Sequence, residues 1–384
     1  MLRTGILLPR STLFPSLGLD ILNGIKSYLK KHNFSDEVKL IMDNIGFGVN
    51  EQEVYAKTEK MLLQEDVDIV VLCADTKITE MMQPLFTASN KILLAVNFGA
   101  NFPDTWQPAP TTITHSLNFC LHARLTGMLA ANENNKQAAN VVSYFDGGYR
   151  QCYSMLQSHQ ENGGVPVFNH ITAHKTAEFT LVPLAEFLEQ NSEVKTLLCL
   201  FAGDMAEMFY REVSPLQKKY DLNLYVSPMM LDESLRSTLD SAFNIENVKG
   251  FIPWHHSLNN KANDIFKEAI AAAGHTANYF SLLGWETGML LNEIIRQNNT
   301  GNINAATVVK SLTETGFDSP RGSMKIDAAT QYSYGASYLA ACNNNMEISV
   351  GSEKENVDTA WTAFTNEKLP PGESSSWRNT YLCI

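Results

Sequence analysis

Short aliphatic or β-branched runs alternate with longer stretches of helical period over about the first 250 residues, and this alternation constrains the fold most. Strands that read as near-continuous apolar runs are buried on both faces, which is the condition inside a parallel sheet covered by helices. The predicted strands are residues 4–8, 38–42, 67–73, 92–97, 140–145, 165–171, 195–201, 222–226 and 248–252. In residues 18–29, Leu19, Leu22, Ile25 and Leu29 fall at spacings of three and four, giving one apolar helical stripe. The same period predicts helices over 51–64, 79–88, 116–131, 176–190, 204–219, 259–273 and 277–297, with Asp204 and Thr176 as N-caps.

The order resolves into two successive βα blocks, residues 1 to about 118 and about 119 to 250. A helical stretch follows to about 314, then a segment of mixed strand and turn character. Two blocks of one rhythm predict a structural pseudo-repeat, and 384 residues exceed what a single core usually organises. The opening Gly5-Ile6-Leu7-Leu8-Pro9 and the turn-rich Phe317-Asp318-Ser319-Pro320-Arg321-Gly322-Ser323-Met324-Lys325-Ile326-Asp327 suggest a chain that crosses a hinge repeatedly. Such a design holds a small molecule between lobes.

A formal net charge of -12 repels phosphate backbones and anionic membranes, so nucleic acid is not an expected partner. The six cysteines stand singly with no C-x-x-C pair, and Cys73 and Cys199 lie in apolar runs where a thiol behaves as a small hydrophobe. No run reaches the roughly 18 apolar residues of a membrane helix, and the opening Met1 to Arg10 is too short for a signal-peptide core.

The P-loop, zinc-protease and nucleophile-elbow patterns are missing, and Gly46-Phe47-Gly48 lacks the third glycine of a dinucleotide fingerprint. No nucleophile and base can be placed together, so the chain is not expected to be an enzyme, and no cofactor is implied. His115, Cys120 and His122 do not share a helical face, which argues against a metal. His255-His256 beside Trp254 reads as packing or surface. Ligands of open α/β sheets lie beyond the strands' carboxyl ends, which singles out the loops 10–17, 74–77, 97–103, 146–149, 202–204 and 229–234.

At these loops the sequence resembles the type I periplasmic-binding-protein superfamily, in its leucine/isoleucine/valine and amide-binding branch of solute-binding proteins. The likeness rests on Gly5 to Pro9, Leu17-Gly18, Asn23-Gly24, Val67-Asp68-Ile69-Val70-Val71, residues 97–103, Gly148-Tyr149, Leu282-Leu283-Gly284-Trp285-Glu286 and Phe317 to Gly322. It covers residues 3 to about 345. The resemblance implies two Rossmann-like lobes with central parallel sheets, joined by a three-crossing hinge. One lobe would hold residues 1–118 and 253–327, the other 119–252 and 328–384. It implies a receptor that closes on a small polar molecule, an amino acid or amide, and delivers it to a membrane ABC permease. The location would be periplasmic or cell-surface, with no signal peptide in this chain. A cytoplasmic or receptor-linked sensor of the same fold, regulating a partner protein, is the alternative.

By the same resemblance, the ligand carboxylate would meet Ala74, Asp75, Thr76, Gly99, Ala100 and Asn101, with Asn97 beginning the second loop. Its ammonium would meet Asp232 or Glu233, with Phe201 and Tyr149 as aromatic partners. Phe14 and Leu17 would touch its apolar part. Asp75 and Lys77 stand where the family usually has small hydroxyl residues, and Asn101 replaces a common Thr. A carboxylate at Asp75 repels another carboxylate, which leaves an unmodified aliphatic amino acid in question unless Lys77 compensates. No cysteine precedes Cys73, so the first-lobe disulfide of some members cannot form.

Overall fold

The computed structural model describes residues 1–133, 136–144, 148–239, 244–297, 304–343, 346–367 and 369. The chain begins with β1 (Leu2–Leu8), α1 (Leu17–Lys31), β2 (Val38–Asn44), α2 (Glu51–Leu63), β3 (Ile69–Cys73), α3 (Thr76–Ser89), β4 (Ile92–Asn97) and β5 (Thr112–Ser116). It continues as α4 (Phe119–Asn132), β6 (Gln137–Val142), α5 (Gly148–Glu161), β7 (Val165–Ile171), α6 (Val182–Gln190), β8 (Thr196–Leu200), α7 (Gly203–Tyr220), β9 (Asn223–Val226), α8 (Ser234–Thr238) and β10 (Val248–Ile252). Then come α9 (Lys261–Ala272), α10 (Tyr279–Gln297), α11 (Ala305–Thr313), β11 (Gly316–Ser319), β12 (Gly322–Ile326) and β13 (Ser333–Gly335). The last elements are β14 (Tyr338–Asn343), β15 (Glu347–Glu353) and α12 (Val357–Thr365).

These elements fall into two compact units. Met1–Leu117 and Trp254–Ala336 belong to the first, Asn118–Pro253 and Ser337–Asn366 to the second. The first unit carries a parallel sheet of order β2-β1-β3-β4-β5 and a small antiparallel sheet β11-β12-β13. The second carries β15-β14-β10-β9-β8-β6-β7, in which only β14 and β15 run antiparallel to their neighbours. Without those two strands its order is that of the first unit, numbering each from its own first strand. The pseudo-repeat is therefore one of topology, the doubly wound α/β order with its switch point between first and third strands.

Each unit closes its own core. In the first, Leu7, Val70, Leu72 and Leu93 pack with Val54 and Met61 of α2 and with Ile78, Met82 and Phe86 of α3. Helices α1 and α10 meet at glycines: a Cβ on Gly24 would stand 2.2 Å from the Ser281 carbonyl oxygen, and one on Gly284 1.9 Å from that of Ile21. The second unit repeats the device, since a Cβ on Gly127 of α4 would stand 2.0 Å from the Met155 oxygen of α5.

Several expectations are corrected. The third passage between units follows Ala336, not residue 327, because β13 pairs with β12 and keeps the chain in the first unit. The segment Phe317–Asp327 is accordingly a hairpin, with Phe317 opposite Met324, and not a crossing. Helix α4 starts at Phe119, since residues 112–116 form β5 and Asn118 takes a left-handed turn with φ +56° between them. Helix α5, absent from the predicted helices, begins at Gly148 inside the predicted loop 146–149. The N-cap of α7 is Ala202 and not Asp204, whose Oδ1 accepts from the Met205 N–H. Thr176 opens a single 3-10 turn, and α6 begins after Leu181. Residue 145 and the tail from 370 lie outside the described residues. No helix among the described residues is long and apolar enough to cross a membrane.

Candidate functional site

In the first unit, the ends of β3 and β4 and the start of α1 line a small, partly open pocket. Pro9, Leu17, Ile21, Cys73, Ala74, Asp75, Val96, Asn97, Phe98 and Leu283 line it. It lies at the carboxyl ends of the parallel strands, where the chain turns into helices and backbone N–H groups are left for a ligand.

Helix α3 begins at Thr76, earlier than its apolar period implies, so Asp75 is its N-cap residue. Asp75 makes no side-chain cap to the helix, although its carbonyl oxygen accepts from the Thr79 N–H and Oγ1, both at 3.1 Å. Asp75 is 2% exposed and lines the same pocket as Asn97.

Asn97 ends β4 and is 3% exposed. Its Oδ1 accepts from the Gly99 N–H at 2.9 Å, which fixes the amide so that Nδ2 is the free group. Among the described residues that buried Nδ2 has no hydrogen-bond partner. Gly99 takes φ +66°, a left-handed conformation that turns the loop back toward Ala100. Asn101 spends its Oδ1 on the N–H of Phe102 at 3.0 Å.

Leu17, Ala74, Asp75 and Asn97 thus share one pocket, whereas Gly99, Ala100 and Asn101 form the buried loop behind it. Thr76 faces a neighbouring cavity. Phe14 is half-buried, and its ring meets Phe280 at 5.1 Å; Phe280 in turn meets the pocket residue Phe98 at 5.6 Å. Sequence reasoning missed Phe98 and Phe280, whose apolar character alone does not distinguish wall from core. Cys73 also lines the pocket, and burial pushes its thiol up to about 12, so it is a neutral apolar group there.

In the second unit Phe201 is fully buried and stacks on Phe209 at 4.5 Å, which makes it core. Asp232 binds its own turn, with Oδ1 accepting from the Ser234 N–H at 2.8 Å. Glu233 precedes the short helix α8. Tyr149 lies in the first turn of α5, its side chain outside the described residues.

The two quoted segments around Glu286 and Arg321 meet in a buried cluster of the first unit. Arg321 Nε donates to Glu286 Oε1 at 2.9 Å, Ser319 donates to the same oxygen, and His115 Nε2 lies 3.2 Å from Oε2. Burial alone would raise the Glu286 carboxyl, but the Arg321 charge and the His115 and Ser319 contacts outweigh it and hold the group below its ordinary value. Burial, helped by Arg321, lowers His115. His115 Nδ1 pairs with Ser333 Oγ at 2.9 Å, while His122 engages the Asn118 oxygen at 2.7 Å and Ser337 at 3.2 Å, so both histidines are occupied structurally.

A family model described as "Periplasmic binding protein" matches residues 2–346. No curated protein sequence matches the chain. Among solved structures, an ABC transporter substrate-binding protein from Sphaerobacter thermophilus is 15% identical with a TM-score of 0.77, covering 92% of this chain and 97% of its own. A solute-binding protein from Rhodopseudomonas palustris, in complex with 3,4-dihydroxybenzoic acid, is 15% identical with a TM-score of 0.74, covering 93% of this chain and 99% of its own. LivJ from Streptococcus pneumoniae, a branched-chain amino acid transporter substrate-binding protein in complex with isoleucine, is 13% identical with a TM-score of 0.69, covering 92% and 100%. These identities speak for the fold, and the family match spans most of the sequence. The chain belongs to the type I periplasmic binding protein family.

Proposed function

We propose that this chain is a solute receptor whose first unit takes up a small amide or amino acid for delivery to a membrane ABC permease. The family's periplasmic location and receptor role support that setting. One observation carries the ligand class: Asp75 and Asn97, whose buried Nδ2 is unpartnered among the described residues, line the same small pocket. Asn97 offers a donor and Asp75 an acceptor, so a group with a carbonyl oxygen beside an N–H satisfies both. A primary amide has that pattern, and an amino acid supplies it through its carboxylate and ammonium.

A plain aromatic acid, such as the dihydroxybenzoate bound by one structural neighbour, would place a second carboxylate against Asp75. Phe98 supplies the apolar wall, with Phe280 and Phe14 behind it.

The test is a thermal-shift screen of amino acids, primary amides, benzoate and 4-hydroxybenzoate. At a hundred times its Kd, a true ligand stabilises the protein by about 2.7 kcal/mol. Amides or amino acids should raise Tm in the wild type and fail with Asn97→Ala. Asp75→Asn should admit the aromatic acids. Equal shifts by benzoate in wild type and Asp75→Asn would discard the assignment.

A further inference from the structure

Between β10 and α9 a loop of the first unit carries Trp254, His255, His256, Ser257 and Leu258. Neighbours in sequence point apart on a helix or a strand, but in this loop the two imidazoles stand side by side, with ring centroids 4.3 Å apart and planes at 49°. One ring nitrogen of each lies within 4.8 Å of the other. Two imidazole nitrogens on one zinc or copper ion stand about 3–4 Å apart, so a small turn of either side chain closes the pair on an ion. The buried Asn263 of α9 holds the loop in this form. Its Oδ1 accepts from Trp254 Nε1 at 2.8 Å, and its Nδ2 donates to the carbonyl oxygens of His256 at 3.1 Å and Leu258 at 2.8 Å.

The chemistry of the pair suits a metal. His255 Nδ1 pairs with Ser257 Oγ at 2.7 Å. With Nδ1–H donating to that oxygen, coordination falls to Nε2, an arrangement in which an outer hydroxyl fixes the tautomer of a metal-binding histidine. Burial, then His256, lowers His255 to about 4, so at neutral pH its ring is in the neutral form that a metal takes. The nearby cation Lys267 donates to the His256 carbonyl at 3.0 Å and is balanced by Asp264 at 3.1 Å. A net charge of -12 adds a field that favours a cation.

We propose that His255 and His256 form a binding site for one divalent transition-metal ion, copper or zinc, with Ser257 orienting the first ring and Asn263 holding the loop. Imidazole nitrogen selects these ions over magnesium and calcium, which take oxygen, and the pair brings no thiolate to favour copper(I). Two protein nitrogens leave the remaining coordination positions to water or to an exchangeable small ligand, so the site is of the open type. None of these residues lines the amide pocket, so the two assignments stand or fall separately.

Isothermal titration of the full chain, first stripped with a chelator, should show one copper(II) or zinc ion bound per chain, copper the more tightly. His256→Gln, at a half-buried position, should weaken both ions roughly tenfold or more. Ser257→Ala, at an exposed position, should weaken them by roughly tenfold through the lost orientation of His255. His174→Gln, an exposed histidine of the second unit, should change neither. Electron paramagnetic resonance of the copper form should show nitrogen couplings from two imidazoles in the wild type and from one in His256→Gln. The proposal is overturned if neither ion binds at about 100 μM, if His256→Gln binds as the wild type does, or if His174→Gln weakens binding as much as His256→Gln. Failure of the amide assignment leaves this outcome untouched, because the titration contains metal alone.

Discussion

At the scale of single residues, the pocket depends on charges that never touch it. Ser116 stands opposite Asn97 in the β4–β5 register, and Ser116 is held twice: its N–H donates to Ser333 Oγ at 3.0 Å, and its carbonyl accepts from Arg321 Nη2 at 3.1 Å. Arg321 is itself fixed by Glu286, and both side chains are 0% exposed. The ion pair therefore anchors the strand beside the pocket's amide. Removing one member of a buried pair strands the other charge in a medium that solvates it poorly, which typically costs about 3–5 kcal/mol. Arg321→Met should lower stability by about that much in urea unfolding, with Glu286→Leu/Arg321→Met losing less than the single change because no charge is orphaned. A double variant worse than Arg321→Met would show that the pair contributes through something other than mutual neutralisation. Glu286 and Arg321 both lie in segments that stood out in the sequence, yet their pairing was invisible there. No local rule joins residues so far apart along a chain.

Among the elements, the same logic of close approach governs the helix pairs. A methyl group on Gly284 would overlap the Ile21 carbonyl oxygen at 1.9 Å, and backbone does not move aside as a flexible side chain does. Gly284→Ala should destabilise the protein by about 3 kcal/mol, at the upper end of the overpacking range. Gly316→Ala, where a Cβ meets nothing within 4 Å, should change the urea midpoint little. Little change at both positions would mean that the helices separate to admit the methyl group, helped by the better helix propensity of Ala, and that the close crossing does not set the cost. The elements legible in the sequence are those whose buried faces are apolar, as in β3 and β4, where every residue is buried. The illegible ones bury polar groups. Helix α5 hides Arg150, Gln151, Ser154, Ser158 and His159, so its inner face carries little apolar period. Strand β5 reads Thr-Ile-Thr-His-Ser, all buried, and its end is satisfied by hydrogen bonds with Ser333 Oγ and from Arg321. The pocket was legible in part for the same reason: loops after strands are found by topology, whereas Phe98 and Phe280 need coordinates to be told from core.

For the molecule as a whole, acid stability follows from groups kept uncharged or charged against their surroundings. Burial lowers His115, and burial with the neighbouring His256 lowers His255 to about 4. In the unfolded chain both take up a proton near pH 6.5, while the folded forms resist until lower pH. The unfolded state therefore binds more protons in this window, so each histidine's contribution is complete above about pH 6.5 and is lost as pH falls toward its folded value. Glu286, held low, acts in the same direction in a more acid window: its contribution is complete above the ordinary glutamate range and disappears as pH drops through the folded value. Two effects oppose them: Glu80, raised by burial and Asp104, takes up its proton more readily in the folded state and so gains on acidification, and surface repulsion eases. Neutralising part of the net charge of -12 relieves self-repulsion, but exposed charges beyond about 8 Å are largely screened at physiological salt. The histidines and Glu286 should win, giving a loss of up to about 1.4 kcal/mol per pH unit for each histidine within its window. Urea unfolding at pH 7, 6 and 5 and constant ionic strength should show falling stability, and His255→Gln should flatten the slope without reversing it. Stability that stays level or rises on acidification would mean that Glu80 and relief of surface repulsion outweigh the buried histidines.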